Sequence, residues 1–169
     1  MTATRSATLL RDGRALTVER TTWEDPRGTV LRAAMDAELG PRYAALRGNR
    51  PRPAPPSSED VVFVLLALVD GEVAATGTLR RLPDRWEVKR LFIDADHRRL
   101  GLASAVLAHL EHGAREQGAA ELFLQTGNRQ PEAIALYERE GWERIEVFAP
   151  YDPADGISVC FRKALRAEP

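Results

Sequence analysis

The chain has 169 residues, 44% hydrophobic and 29% charged, with 24 Lys and Arg against 25 Asp and Glu for a net charge of −1. That length suits one domain with a full hydrophobic core and is short for two. The balanced charge is no electrostatic match for nucleic acid or an anionic membrane, and a single cysteine excludes an internal disulfide or a cysteine-rich metal site.

Lysine occurs only at Lys89 and Lys163, so nearly all the basic charge is arginine. Residues 1–14 are polar, with no apolar stretch of the kind a secretory signal needs. The longest apolar run, residues 61–69, is far too short to span a bilayer, and a cytoplasmic protein is expected.

Residues 1–13 read as a frayed start. Leu16 and Val18 alternate with Thr17 and Glu19, which predicts a first strand ending near Trp23. Asp25-Pro26 has the makings of a helix start, a capping carboxylate followed by proline at the first helical position. Val30, Leu31, Ala34, Met35 and Leu39 continue that helix; Gly40-Pro41 is expected to stop it, and residues 42–46 to form a second, short one. Residues 48–58 are proline-rich and are expected to be an exposed, extended loop within the domain. Residues 61–69 read as a strand buried on both faces. Asp70-Gly71 signals a hairpin, residues 73–79 the return strand, and Pro83-Asp84 the turn into a fourth strand over residues 86–93.

A basic turn follows, Arg98-Arg99-Leu100-Gly101-Leu102-Ala103, and then an amphipathic helix with Leu102, Val106 and Leu110 on one face and Gly118 at its end. Residues 122–125 predict a fifth strand, parallel to the fourth across the helical crossover. Pro131 opens another helix, ended by Gly141. Residues 142–148 predict a sixth strand, and Ile157, Val159 and Phe161 alternate in a seventh. Cys160 lies in that alternation and is expected in the core, not as a nucleophile. His109 and His112 are three apart on a helix without a carboxylate or cysteine partner, so solvent exposure is expected in place of metal binding. His97 reads as a turn residue.

The junction of fourth strand, basic turn and helix has the character of an anion site. First-turn N–H groups of a helix point outward with partial positive charge, glycine lets a ligand approach the backbone, and the arginines add formal charge. There is no G-x-x-x-x-G-K-[ST] and no G-x-G-x-x-G after the first strand, which excludes a nucleotide P-loop and argues against a dinucleotide fold.

Arg98-x-x-Gly101-x-Ala103 after an apolar strand, followed by Leu124-Gln125-Thr126 and by Ala133-Ile134-Ala135-Leu136-Tyr137-Glu138-x-x-Gly141-Trp142, resembles the GNAT superfamily of N-acetyltransferases. The motifs are similar to that family's Q/R-x-x-G-x-G/A coenzyme A loop and its A-x-x-L-Y-x-x-x-G-F/W helix. The resemblance implies an α/β (α+β) fold in one domain over residues 1–169. Its mixed, mostly antiparallel sheet would have about seven strands, the central fourth and fifth parallel and splayed, with helices on both faces. It further implies acetyl-CoA as co-substrate with no metal, and a small-molecule or amino-acid-like primary amine as acceptor. Nucleic acid and membrane are not expected partners, and a homodimer is allowed.

The resemblance also implies site residues. Backbone N–H groups over Arg98, Arg99, Leu100, Gly101, Leu102 and Ala103, with Ser104 beside them, would hold the coenzyme A pyrophosphate. The pantetheine would pair with Leu91, Phe92 and Ile93, and the N–H of Leu91 would polarise the thioester carbonyl. Tyr137 would protonate the departing thiolate, and Glu87 would act as general base, against the alternative of a solvated strand glutamate paired with Lys89 or Arg80. Where many members have an asparagine in the loop after the fifth strand, this chain has Gln130, with Asn128 two residues earlier. Arg42, Tyr43, Arg47 and Tyr151 are candidate acceptor contacts, suited to a carboxylate or aromatic group. The alternative to an enzyme is a non-catalytic acyl-CoA-binding sensor or scaffold.

Overall fold

The computed structural model describes residues 7–166. In chain order these form β1 (Ala7–Leu9), β2 (Ala15–Thr21), α1 (Pro26–Arg47), β3 (Val61–Val69), β4 (Glu72–Arg81), β5 (Trp86–Ile93), α2 (Leu102–Glu116), β6 (Glu121–Gly127), α3 (Pro131–Arg139), β7 (Glu143–Ile145) and β8 (Ser158–Ala164). All eight strands belong to one sheet in the order β1-β2-β3-β4-β5-β6-β8-β7. Only β5 and β6 pair in parallel. Among the described residues no helix is long and apolar enough to cross a membrane.

β3 is the centre of packing. Its alternate residues Phe63, Leu65, Ala67 and Val69 join the main core with Val106, Leu107 and Leu110 of α2. Val64, Leu66 and Leu68 face the other way, and Val64 and Leu66 flank Gly28 of α1. The two long helices therefore cover opposite faces of the sheet, which is why an unbroken apolar run suits this strand. α3 adds Tyr137 to the α2-side core, beside Trp142 and Phe161.

Four details differ from the sequence expectations. There are eight strands where about seven were expected: Ala7–Leu9, within the stretch expected to fray, pairs with β2, while residues 1–6 lie outside those described. The sixth expected strand shortens to β7, and β8 inserts between it and β6. The first helix runs on through Gly40-Pro41 to Arg47. Proline at 41 removes the bond to the Ala37 carbonyl, but both residues are exposed, so water can satisfy that carbonyl. Beyond the proline, Arg42 pairs with Glu132 and Tyr43 is buried against the loop after β6, which holds the second half of the helix in line. Finally, the proline-rich loop is exposed along most of its length but not detached: Arg50 Nη1 donates to the carbonyls of Ala154 and Asp155 at 3.3 and 3.1 Å.

Candidate active site

The site begins in the irregularity of β5. Thr76 pairs with Phe92 and Thr78 with Lys89, so three steps on β5 oppose two on β4, a β-bulge at Arg90–Leu91. Arg90 takes φ 55, in the left-handed region, at this bulge. On the other edge, β5 and β6 are in register only at Glu87–Phe123 and Val88–Leu124, after which the two strands part. Arg90 and Leu91 thus have no register partner on either side, at the point where the strands part.

Next comes the turn into α2. Asp94 accepts from the N–H of Asp96 and from His97 Nδ1 at 3.0 Å, closing a short 3-10 turn over Ala95–His97. Arg99 (φ 64) and Gly101 (φ 83) then reverse the chain. Gly101 is the N-cap of α2 and offers no side chain to the first-turn N–H groups, and a Cβ placed there meets nothing within 4 Å. An uncapped helix start with open space in front of it is the geometry an anion needs.

Two cavities open along this line. The first, about 290 Å³, is walled by Leu91–Ile93, by His97–Arg99 and Gly101–Ser104, and by Gln130, Ala133, Leu136 and Tyr137 of the α3 side. The second, about 700 Å³, lies between the parted strands and is walled by Tyr43 and Arg47 of α1, residues 50–56 of the proline loop, Val88–Leu91, Gln125–Gly127 and Tyr151. Met35, Leu39, Leu91, Gln130, Ala133 and Tyr137 line both, so the cavities meet at Leu91 and Tyr137.

Of the residues expected in the coenzyme loop, Arg98, Arg99, Gly101, Leu102, Ala103 and Ser104 line the first cavity. Leu100 instead packs against the core. Arg98 is held by Glu38 of α1 at 2.6 Å and by the Ile93 carbonyl, and Ser104 Oγ donates to Glu140 at 2.5 Å. Tyr137 is 7% exposed, and burial raises its hydroxyl above the ordinary phenol value, so it stays a neutral donor.

The two amides after β6 act as braces. Gln130 lines both cavities, but its Nε2 donates to Tyr43 Oη at 3.2 Å. Asn128 lies outside both cavity walls and donates to the Gly156 carbonyl at 2.7 Å.

Glu87 is fully buried and does not line either cavity. Its Oε2 accepts from Arg80 Nε at 2.6 Å and its Oε1 from the Tyr151 hydroxyl at 2.6 Å, while Arg80 also donates to Tyr151 and pairs with Asp60. The pairing with Arg80 is that of the strand-glutamate alternative, but the residue is buried where solvation was expected, and both carboxylate oxygens are taken up by Arg80 and Tyr151. Of the acceptor candidates, Tyr43, Arg47 and Tyr151 line the second cavity. Arg42 does not: it is taken up by Glu132, Glu38 and the Arg129 carbonyl.

One cleft residue was missed. Lys89 sits where the strands part, its Nζ donating to Gln125 Oε1 at 2.8 Å and lying 4.6 Å from the centroid of the Tyr151 ring. Burial pushes its ammonium down to about 8. The available signal was its rarity: in an arginine-rich chain, a lysine stands two residues before Leu91. Cys160 is buried against Phe148 and Tyr151, and burial raises its thiol. Among the described residues no group of three or more His, Cys, Asp or Glu could hold a metal ion.

A bulged strand parting from its parallel neighbour, next to a glycine turn at an uncapped helix, is an architecture shared with known proteins. The model of the Acetyltransferase (GNAT) family matches residues 20–142, and the chain belongs to that family. It is similar to a protein of Klebsiella pneumoniae subsp. pneumoniae MGH 78578 whose crystal structure is described as that of an acyl-CoA N-acyltransferase: 31% identity, TM-score 0.73, covering 89% of this chain and 98% of that one. It is 38% identical over 98 residues to the uncharacterized N-acetyltransferase YsnE of Bacillus subtilis (strain 168), 56% of this chain and 64% of that one. It is 37% identical over 79 residues to the IAA acetyltransferase of Azospirillum brasilense, 47% of this chain and 51% of that one. The chain spans between 26% and 64% of the length of the first curated relatives it matches.

Proposed function

We propose that this chain is an acetyl-CoA-dependent N-acetyltransferase that acetylates the primary amine of a small, amino-acid-like molecule by direct attack in a ternary complex. The observation that carries the proposal is the meeting of the two cavities at Leu91 and Tyr137. The first ends at the bare N-terminus of α2, suited to a pyrophosphate. The second opens among Tyr43, Arg47, Lys89 and Tyr151, suited to an acceptor. A donor and an acceptor entering from the two ends would come together beside one backbone N–H and one phenol.

The first-turn N–H groups of α2, with Arg98 and Arg99, bind the anionic end of the donor. The edge of β5 that β6 leaves beyond Val88 holds the extended arm, and the Leu91 N–H donates to the carbonyl oxygen as charge develops there. Tyr137, kept protonated by burial, donates to the sulfur as the carbon–sulfur bond breaks. Formal charges on the second cavity's wall are Arg47, Arg50, Arg52, Lys89 and Arg90 against Asp36, Asp152 and Asp155, an excess of two positive. That balance favours an acceptor that also carries a carboxylate over a polycation.

The test is release of free thiol from acetyl-CoA across a panel of amines, comparing amino acids with their decarboxylated counterparts. Amine-dependent release is expected, higher for the carboxylate-bearing members. Tyr137→Phe is expected to lower kcat about 10²-fold with coenzyme A affinity nearly unchanged. Coenzyme binding with no amine-dependent release under any acceptor would overturn catalysis and leave the sensor reading.

A further inference from the structure

An amine acceptor reaches the cleft mainly as an ammonium and must lose a proton before its nitrogen can attack. The carboxylates on the wall are all engaged elsewhere. Asp36 pairs with Arg90 and Asp152 accepts from the Ala154 N–H. Asp155 accepts from the Ile157 and Ser158 N–H groups and the Ser158 hydroxyl. Glu38 is held by Arg98 and Arg42, Glu132 by Arg42, and His97 by Asp94. Glu87 is sealed behind Tyr151.

We propose that Lys89, on the cleft wall where β5 and β6 part, is the group that takes the proton from the acceptor's ammonium. The inference rests on the acetyltransferase reading above. Lys89 precedes Leu91 by two residues on one strand, with the bulge at Arg90 between them, and both line the second cavity. Its direct partners are uncharged, the Gln125 carbonyl oxygen and the face of the Tyr151 ring, so no carboxylate locks it as a cation.

The groups facing it from the surrounding elements set its protonation. Burial lowers the ammonium to about 8, and Arg80 on β4 and Arg90 beside it push the same way. Glu87 and Cys160 of β8 oppose them. Arg47 of α1, Arg50 and Arg52 of the proline loop, and Asp152 and Asp155 share the cleft wall. With that value about a quarter of Lys89 is neutral at pH 7.5, which suits a proton acceptor working near neutrality.

The step balances. Neutral Lys89 takes one proton from the ammonium and becomes an ammonium itself, later losing that proton to solvent. The freed nitrogen pair forms the carbon–nitrogen bond, and the carbon–sulfur bond breaks with its electron pair on sulfur. Tyr137 gives its proton to that sulfur and is reprotonated by the second proton that the acceptor nitrogen sheds on becoming an amide.

The decisive comparison is Lys89→Met with Lys89→Arg, assayed by thiol release from pH 6.5 to 9.5 with two acceptors of different basicity. Wild-type kcat/KM is expected to rise through a midpoint near 8 that stays put when the acceptor is changed. Both variants are expected to lose about 10²-fold at pH 7 and less at high pH, where free amine is abundant, with coenzyme A affinity by calorimetry unchanged. Arginine keeps the charge but cannot give up its proton, so a Lys89→Arg enzyme close to wild type overturns the proposal. Nζ titration by NMR needs no variant to be active, because the wild-type chain has two lysines and Lys163→Arg assigns them. Lys89 titrating above about 10, or found stably acetylated by mass spectrometry, overturns its role while acetyl transfer stands. Absence of amine-dependent thiol release in the wild type instead removes the acetyltransferase reading itself.

Discussion

Arg80 Nε and Glu87 Oε2 lie 2.6 Å apart on directly paired residues of β4 and β5, with side chains 4% and 0% exposed. A carboxyl group buried this deeply has lost its water, and the guanidinium and the Tyr151 hydroxyl supply hydrogen bonds in its place. Its contribution is therefore to hold Tyr151 in the wall of the acceptor cleft and Arg80 behind it. Glu87→Gln is expected to lower stability by about 3 kcal/mol, because it leaves Arg80 with only the partly exposed Asp60 as a charged partner. Urea denaturation measures that loss. The pH profile of turnover in the folded variant is expected to keep its wild-type shape; a profile that flattens with stability intact would return proton transfer to Glu87.

Gly101 combines two demands that different substitutions separate. Its φ of 83 strains any residue with a Cβ, and the space in front of it is open to a ligand. Gly101→Val is expected to cost about 1–2 kcal/mol of stability and to weaken coenzyme A by more than tenfold. Gly101→Asn, which tolerates the left-handed conformation, is expected to recover much of the stability but not the affinity. Calorimetry with coenzyme A checks both. Affinity that recovers together with stability would mean that the loop's shape alone, and not access to its backbone, is what the glycine supplies.

What could be seen in the sequence and what could not divides along the range of the interactions. The β3 run, the Asp70-Gly71 hairpin, the glycine turn and the Tyr137 helix were legible because each depends on local periodicity or on turn chemistry within a few residues. The continuation of α1 through Pro41 was not, because the residues that hold it, Glu132 and the loop after β6, are some 90 positions away in the chain. Partners 87 and 28 positions away likewise hid the roles of Gln130 and Asn128: an amide in a loop looks like a ligand contact until Tyr43 and Gly156 are found beside it. Glu87 and Lys89 are two apart on one strand and share a face. Only the fold shows that Arg80 and Tyr151 shut one in, while the parting of β5 from β6 leaves the other on the cleft wall.

Asp25 ties the start of α1 to pH. Its carboxylate accepts from the Arg27 N–H at 2.9 Å, from Arg27 Nη2 at 2.8 Å and from the Thr21 hydroxyl at 2.8 Å. The Arg27 side chain, first among these, holds its pKa well below the ordinary carboxylate value. A depressed folded value means stability that is fully present above about pH 4 and is lost as pH falls toward that lower value. Asp25→Asn is therefore expected to be less stable than wild type by about 1 kcal/mol near pH 7, the gap closing in acid. Urea midpoints at pH 3, 5 and 7 check this. A gap independent of pH would assign the effect to hydrogen-bond geometry instead of charge.

Gly127 and Tyr43 fix how closely α1 approaches the end of β6. A Cβ on Gly127 would lie 2.0 Å from Tyr43 Oη and 2.4 Å from Cζ, and the ring is 3% exposed, with no room to retreat. The hydroxyl also accepts the Arg129 N–H at 3.0 Å, so displacing it strips a loop donor of its partner. Gly127→Ala is expected to cost about 3 kcal/mol and to raise the acceptor KM, since Tyr43 lines the second cavity but not the first, with coenzyme A affinity little changed. Tyr43→Phe removes the hydroxyl but leaves Cζ in the way, so it should not rescue Gly127→Ala. Tyr43→Ala removes the ring and should make the second substitution nearly free, giving a coupling of about 2 kcal/mol in a double-mutant cycle. Additive costs would show that the helix is positioned by Arg42 and Glu132 instead, and that the ring merely fills space.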